Sequence, residues 1–210
     1  MKIINPNTEG IKEAVKKILE GEIIFIPTDT VYGIAANPYN DKAIKKIFSI
    51  KKKSLNNSLV LLCSNYKMAK KYAIFNKIAD NLKKNFWPGP LTLILKKKSN
   101  LKISKKWVSK NNSIGLRIPD HSIPKKIINK CNFPIFCTSA NISGKKSCRN
   151  VNDIVKNFKN KKITIINGGK TKFGIDSTII DVTKDKINIL RKGYINKKKI
   201  KKLGLLDYEN

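Results

Sequence analysis

Acidic residues are scarce in this chain. Only 14 Asp and Glu stand against 45 Lys and Arg in 210 residues, a formal charge of +31 with histidine neutral. Histidine is scarcer still, with His121 alone, and the four cysteines (Cys63, Cys131, Cys137 and Cys148) include no C-x-x-C pair. Tetrahedral zinc is ordinarily held by closely spaced ligand pairs, so the thiols read as buried and reduced, not as metal ligands. No apolar run approaches the ~18 uncharged residues that a membrane span takes. The first residues, MKIINPNTEG, carry no apolar block of the signal-peptide kind, so a cytosolic protein is expected. Neither G-x-x-x-x-G-K-[ST] nor G-x-G-x-x-G occurs, and NGGK at Asn167–Lys170 is too short to be either phosphate loop.

What is abundant is lysine. It is spread over the whole length and mixed with asparagine and isoleucine, a mixture that fits drift toward A/T-rich codons. Runs such as KKKSN and NKKKIKK read as solvated faces. Positive charge alone argues for non-specific attraction to polyanions, and it keeps a non-catalytic double-stranded RNA or tRNA-binding module in view as the alternative function.

A hydrophobic fraction of 40% is enough for one substantial core in a chain of this length. Ile11, Ala14, Val15, Ile18 and Leu19 recur at helical spacing, and Gly21 ends the pattern. A strand is expected at 23–27, and a second helix from Asp41 with Ala43, Ile44, Ile47 and Phe48 on one face. SLVLLC, LTLIL, SIGLRI, PIFCTS and KITIING read as strands, residues 66–85 and VNDIVKNF as helical. Pro124 is expected to open a helix to about Cys131, and DSTIIDV with INILRKG to form a hairpin. Strands and helices interleave, which predicts an α/β fold, bordering on α+β, with a mixed sheet. One domain over 1–210 is expected, with a peripheral tail from about 197.

The stretch IIFIPTDTVYGIAAN raises the functional question. An apolar strand ends in Thr28-Asp29-Thr30, three small polar side chains placed where α/β proteins build sites. The pattern recurs: PIFCTSANISG puts Thr138, Ser139 and Asn141 after a strand, and FGIDSTIID puts Asp176, Ser177 and Thr178 before one. Each alone reads equally well as a cap or turn. Together they supply neutral donors and acceptors that can line one pocket. Arginine is kept only at Arg117, Arg149 and Arg191. Its planar fork binds carboxylate or phosphate with two hydrogen bonds, which a lysine point charge does not. Lys51 and Lys53 follow a helix and are open both to helix-end stabilisation and to phosphate binding. FWPGPLT reads as a rigid turn with Trp87 packed.

Taken together, PTDTVYGI, IKKKSLNNSL, FWPGPLTLIL, SIGLRIPDH, CTSANISG, FGIDSTIID and LRKG resemble, in order, the motifs of the YrdC family and of its threonylcarbamoyl-AMP synthases. They span about residues 10–193, and the length is similar to that of the single-domain bacterial type. The resemblance implies an open, twisted α/β sheet with flanking helices and a concave basic cavity. It implies condensation of L-threonine, bicarbonate and ATP to threonylcarbamoyl-adenylate and pyrophosphate, with Mg²⁺ accompanying ATP. The product serves modification of the adenosine beside the anticodon, so tRNA and the threonylcarbamoyl-transfer proteins are implied partners. Thr28, Arg117, Thr138 and Ser177 match threonine-binding positions, with Arg117 on the carboxylate. Lys51 and Lys53 match the phosphate-side K-x-R pair and, with Arg117, the catalytic cations. Asn57, Ser113, Ser139, Asn141, Ser147 and Arg191 match nucleotide-side positions. Lys53 stands where the family pattern has arginine, and Ser54 and Ser58 where it has proline. A related reaction that consumes carbamoyl phosphate is the second enzymatic reading.

Overall fold

The computed structural model describes residues 1–52, 59–99, 101, 103, 112–184 and 186–204. The strands are β1 (Lys2–Ile4), β2 (Ile24–Ile26), β3 (Gly33–Ala36), β4 (Val60–Leu62), β5 (Ala73–Ile74), β6 (Leu91–Lys97), β7 (Ser113–Arg117), β8 (Ile135–Ser139), β9 (Thr164–Ile166), β10 (Thr178–Asp181) and β11 (Asn188–Arg191). They form one mixed sheet in the order β1-β9-β2-β3-β8-β4-β7-β6-β10-β11, with β5 paired to β6 off that path. The expected mixed α/β sheet is therefore present. Short strands such as Ile24-Phe25-Ile26 are buried on both sides, which explains why they read as unbroken apolar runs without alternation.

Seven helices are described: α1 (Thr8–Leu19), α2 (Asp41–Lys51), α3 (Tyr66–Ala69), α4 (Lys77–Phe86), α5 (Ser122–Cys131), α6 (Val151–Asn157) and α7 (Lys197–Lys201). Asparagine starts all but one of them. Asn7, Asn40, Asn65, Asn76, Asn150 and Asn196 each accept, through the side chain, the backbone N–H three residues on. The exception is α5, where His121 Nδ1 accepts from Ile123 N–H at 3.2 Å. Six of the asparagines that read as codon drift are thus helix-capping residues. Asn40, not Asp41, caps α2, and Gly21 takes φ +78° just beyond α1. β1, β3 and β5 were not anticipated, because two to four residues are too few to show a period.

The helices cover the sheet unequally. α1 and α5 pack Ile11, Ala14, Ile18, Ile127 and Ile128 onto Ile24, Ile26 and Ile135. Phe25, Ile34, Ile44, Phe48, Leu61, Leu93 and Phe136 fill the opposite layer, joined by Leu82 and Ile154 of α4 and α6. Leu62 and Cys137 belong to the α1/α5 cluster and also line an open cavity, so that layer stops there. The C-terminal segment docks through Ile195 and the fully buried Ile200, while residues 205–210 fall outside the described ones. Among the described residues no helix is long and apolar enough to cross a membrane.

β3 and β8 are packed without slack beside that cavity. Gly33 pairs with Ser139, and a Cβ on Gly33 would run into the Cys137 thiol. Gly33→Ala is therefore expected to cost about 1–3 kcal/mol, the usual range for overpacking. Most of that loss should vanish in a Cys137→Ala background, because the two sites share one space. Urea denaturation of the two single variants and the double variant measures the coupling, and equal penalties in both backgrounds would refute this contact.

Candidate active site

Strand register assembles the site floor. Leu62 of β4 pairs with Arg117 of β7. Leu93 of β6 pairs with Leu116, which sets Thr92 beside Arg117, and Thr92 pairs with Ile179 of β10. Leu62, Arg117, Thr92 and Ile179 thus form a row on one face of four neighbouring strands. They floor a cavity of about 160 Å³, walled by strand-end residues that include Thr28, Thr138, Ser139, Asp176, Ser177 and Arg191. A larger basin of about 1270 Å³ adjoins it and shares Val60 and Ile179. Its floor includes Gly115 and Ile94, Ser113 lines it, and Lys96, Lys184 and Lys186 stand around it.

Arg117 is deeply committed. Nη2 donates to Asp29 Oδ1 at 2.6 Å, Nη1 to Thr30 Oγ1 at 2.8 Å, and Nε to the Gly89 carbonyl at 3.0 Å. The two charged side chains are 7% and 0% exposed. Burial pulls the Arg117 pKa down while Asp29 pushes back, and a guanidinium stays charged under both influences. Asp29 Oδ1 also accepts from Asp120 N–H, at 3.2 Å, whereas Oδ2 is buried with no partner among the described residues. Of the five guanidinium N–H groups, three are used here, so two remain.

The PTDT hydroxyls carry a fixed polarity. Thr28 Oγ1 donates to the Val31 carbonyl at 2.6 Å, because a carbonyl only accepts. In the 3.0 Å contact between the Thr28 and Thr30 hydroxyls, Thr30 must therefore be the donor. Thr28 Oγ1 also accepts Thr30 N–H at 3.2 Å, which completes its inventory. Thr28 lines the cavity as expected, but its hydroxyl is spent on shaping the turn.

Lys51 is likewise turned inward. It is 3% exposed. Its ammonium donates to the Ser139 carbonyl, to the Asn141 carbonyl at 2.9 Å and to Asn141 Oδ1 at 2.8 Å. Ser139 Oγ also donates to Asn141 Oδ1, at 2.7 Å. The expected phosphate cation thus holds the TSAN loop. Lys53 and Asn57 lie outside the described residues, as do Ser54 and Ser58.

The opposite wall is a linked set. Arg191 Nε donates to the Ser177 carbonyl and Nη2 to Ser177 Oγ, both at 3.0 Å. Its Nη1 is 3.9 Å from Asp176 Oδ1, too far for a hydrogen bond, and Ser147 Oγ donates to Asp176 Oδ2 at 3.0 Å. Burial lowers the Arg191 pKa and Asp176 opposes it. Gly193 is required beside them, since a Cβ there would strike the backbone of Asp176, Ser177 and Thr178. Ser177 Oγ shares a hydrogen bond of 2.8 Å with Thr92 Oγ1. Cys137 also lines the cavity, but burial pushes its thiol up to about 12, so it stays protonated and is no nucleophile.

Thr28, Arg117, Thr138, Ser139, Ser177 and Arg191 are therefore brought to one cavity, with Ser113 on the adjoining basin. Asn141 and Ser147 stand behind it, bonded to Lys51 and Asp176. Thr92 was missed, as were Asp29, Thr30 and Asp176 as partners of the arginines. A buried arginine in a chain so poor in carboxylates needs its counter-ion close in space, and Asp29 follows the first motif's Thr28 directly. Among the described residues no group of three or more His, Cys, Asp or Glu is placed to hold a metal ion. Asp176 is a carboxylate at the cavity, which suits a Mg²⁺ that arrives on substrate phosphates and takes one or two protein carboxylates.

Comparison with known proteins agrees with this architecture. The family model Sua5/YciO/YrdC, described as telomere recombination, matches residues 16–193. A Methanocaldococcus jannaschii protein provisionally named as a threonylcarbamoyl-AMP synthase is 39% identical over 93% of this chain and 93% of its own. The threonylcarbamoyl-AMP synthase of Pyrococcus abyssi is 35% identical over 92% of this chain, which spans only 56% of that longer relative. The crystal structure of P. abyssi Sua5 complexed with L-threonine superposes with a TM-score of 0.90 at 34% identity, covering 97% of this chain and 61% of the other. By sequence match and by sheet architecture alike, the chain belongs to the Sua5/YciO/YrdC family.

Proposed function

We propose that this protein is an L-threonylcarbamoyladenylate synthase, a nucleotidyltransferase that joins L-threonine, bicarbonate and ATP into threonylcarbamoyl-AMP and pyrophosphate. The observation that carries the reading is the two-part cavity. Its small chamber is the size of one amino acid, is floored by Arg117 and Thr92, and opens beside a larger basin suited to a nucleotide. The relatives' names and the threonine-bound P. abyssi structure support the same choice of substrates. A bare RNA-binding surface has no use for a small chamber of paired hydroxyls and arginines, since backbone contacts need only exposed donors and charge.

The threonine amine adds to carbon dioxide with loss of a proton, or to bicarbonate with loss of water, to give a carbamate. A carbamate oxygen then attacks the α-phosphorus of ATP, and the bond to pyrophosphate breaks. Such transfer depends on positioning and on neutralising developing charge. The two remaining N–H groups of Arg117 receive the α-carboxylate. Because Asp29 neutralises this arginine, the contact supplies orientation more than net charge. Arg191 has unused donors at the chamber wall and faces the carbamate and α-phosphate. Thr138 adds a hydroxyl, and Lys51 with Asn141 keeps the Ser139 loop in place. Lys53 and Asn57 serve the phosphates, and Mg²⁺ enters bound to ATP as part of the substrate. The product goes to tRNA threonylcarbamoyladenosine formation, with tRNA and transfer proteins as downstream partners.

The primary test is pyrophosphate release from ATP, which is expected to require both threonine and bicarbonate. Steep salt dependence of RNA binding without such release would favour the non-catalytic reading. Arg117→Ala strands the Asp29 carboxylate and is expected to cost about 3–5 kcal/mol of stability in urea. Arg117→Lys keeps the charge but not the fork. It should remain folded at 25 °C while its KM for threonine rises ten- to hundredfold, and an unchanged KM would remove Arg117 from the carboxylate. Lys51→Met removes the loop's anchor and should lower kcat roughly 10²-fold, the scale of a misplaced site. Wild-type turnover in Lys51→Met would show that the loop needs no such tie.

A further inference from the structure

Thr92 sits in the floor row between Arg117 and Ile179 and is 1% exposed. Among the described residues its hydroxyl has one hydrogen bond, the 2.8 Å contact with Ser177 Oγ, whose direction the geometry leaves open. Ser177 Oγ already accepts from Arg191 Nη2. Two hydroxyl protons therefore serve one shared bond. If Ser177 donates across the pair, the Thr92 proton is uncommitted. If Thr92 donates, the Ser177 proton is. In either arrangement one O–H is left over at the chamber floor, next to the Arg117 fork. A buried donor without an acceptor costs about 1–3 kcal/mol, so a ligand oxygen placed there relieves a real penalty.

We propose that Thr92, acting with Ser177, is the specificity-determining residue that reads the side-chain hydroxyl of the amino-acid substrate. This rests on the synthase reading above. Cross-strand neighbours hold their Cβ atoms about 4.5–5.5 Å apart. Arg117 and Thr92 line the same small chamber, so a carboxylate on the Arg117 fork leaves the Cβ of the same amino acid, two bonds away, within reach of the Thr92–Ser177 pair. An oxygen on that carbon meets the uncommitted proton, and a methyl group there faces Ile179, the apolar neighbour of Thr92 in the row. The amine is then the group left to point toward the larger basin, where the nucleotide phosphorus must be. A site built this way rejects an analogue without the hydroxyl more strongly than one without the methyl, because a missing methyl costs only ~10–200-fold whereas a stranded polar pair costs more.

The test compares initial rates of pyrophosphate release at saturating ATP and bicarbonate with threonine, serine, 2-aminobutyrate and valine. Wild-type protein should prefer threonine over 2-aminobutyrate by about 10²-fold or more in kcat/KM. Thr92→Val conserves shape and strand preference while deleting the hydroxyl. It should lose most of the threonine rate, leave the 2-aminobutyrate rate near its starting value, and so collapse the ratio. Thr92→Ser should restore it. A purely structural role would depress both substrates together and leave the ratio intact, which overturns the assignment. So does a wild-type protein that uses 2-aminobutyrate as well as threonine, a result that needs no variant to fold. If no amino acid supports pyrophosphate release by the wild-type protein, the synthase reading itself has failed, which is a different outcome from activity without discrimination.

Discussion

The Arg117–Asp29 pair is the constraint from which the site follows. Both groups are out of water, and a buried pair repays its desolvation only when geometry and further hydrogen bonds are good. Here the guanidinium reaches the PTDT turn, the Gly89 loop before β6 and, through Asp29, the backbone at Asp120. Two segments distant in sequence, and the turn that follows β7, are thereby fixed to one side chain at the end of β7. The same arginine forms the floor of the small chamber. Under the proposed function, stability and substrate orientation draw on one residue, whose charge is largely matched by Asp29. In that reading discrimination falls to direction: the two remaining guanidinium N–H groups and the hydroxyl pair beside them.

The second organising feature is the division of labour among cations. Lysine supplies nearly all the charge, yet Lys51 is buried and spent on the loop at Ser139–Asn141. The two arginines of the cavity are each paired with a carboxylate, Asp29 within hydrogen-bond reach and Asp176 slightly beyond it. A chain with few acidic residues places two of them against its only cavity arginines. The small chamber is thus close to balanced in charge, while the adjoining basin keeps Lys96, Lys184 and Lys186 around it.

Much of the fold was legible because its signals are local. The helical spacing of Ile11, Ala14 and Ile18, the strand LTLIL and the hairpin near the end all reflect burial of neighbouring residues. What escaped is what depends on pairing across the sheet. β3 is four residues long and gains its strand character from β2 and β8, not from its own sequence. The site divides in the same way. The strand-end hydroxyls and scarce arginines named segments that the fold brings together, and most of those residues line one cavity. Their roles were harder to read, because hydrogen-bond inventories are settled by the exact turn geometry or by partners far away in the chain. Thr28 is filled by Thr30 and Val31, and Lys51 by residues some ninety positions on. Thr92 looked like one more strand residue until register set it beside Arg117.

The amide caps have a consequence for acid–base behaviour. Six helix starts depend on asparagine, whose side chain does not titrate, where aspartate would lose its acceptor strength in acid. The seventh depends on His121, which caps only in its neutral form, and burial lowers its pKa below the ordinary value. Protonation therefore favours the unfolded chain there, and the loss of stability sets in as pH falls through the unfolded-state pKa near 6.5. Above that point the helix ends are indifferent to proton concentration. The helix starts thus carry no titrating cap over the neutral and mildly alkaline range.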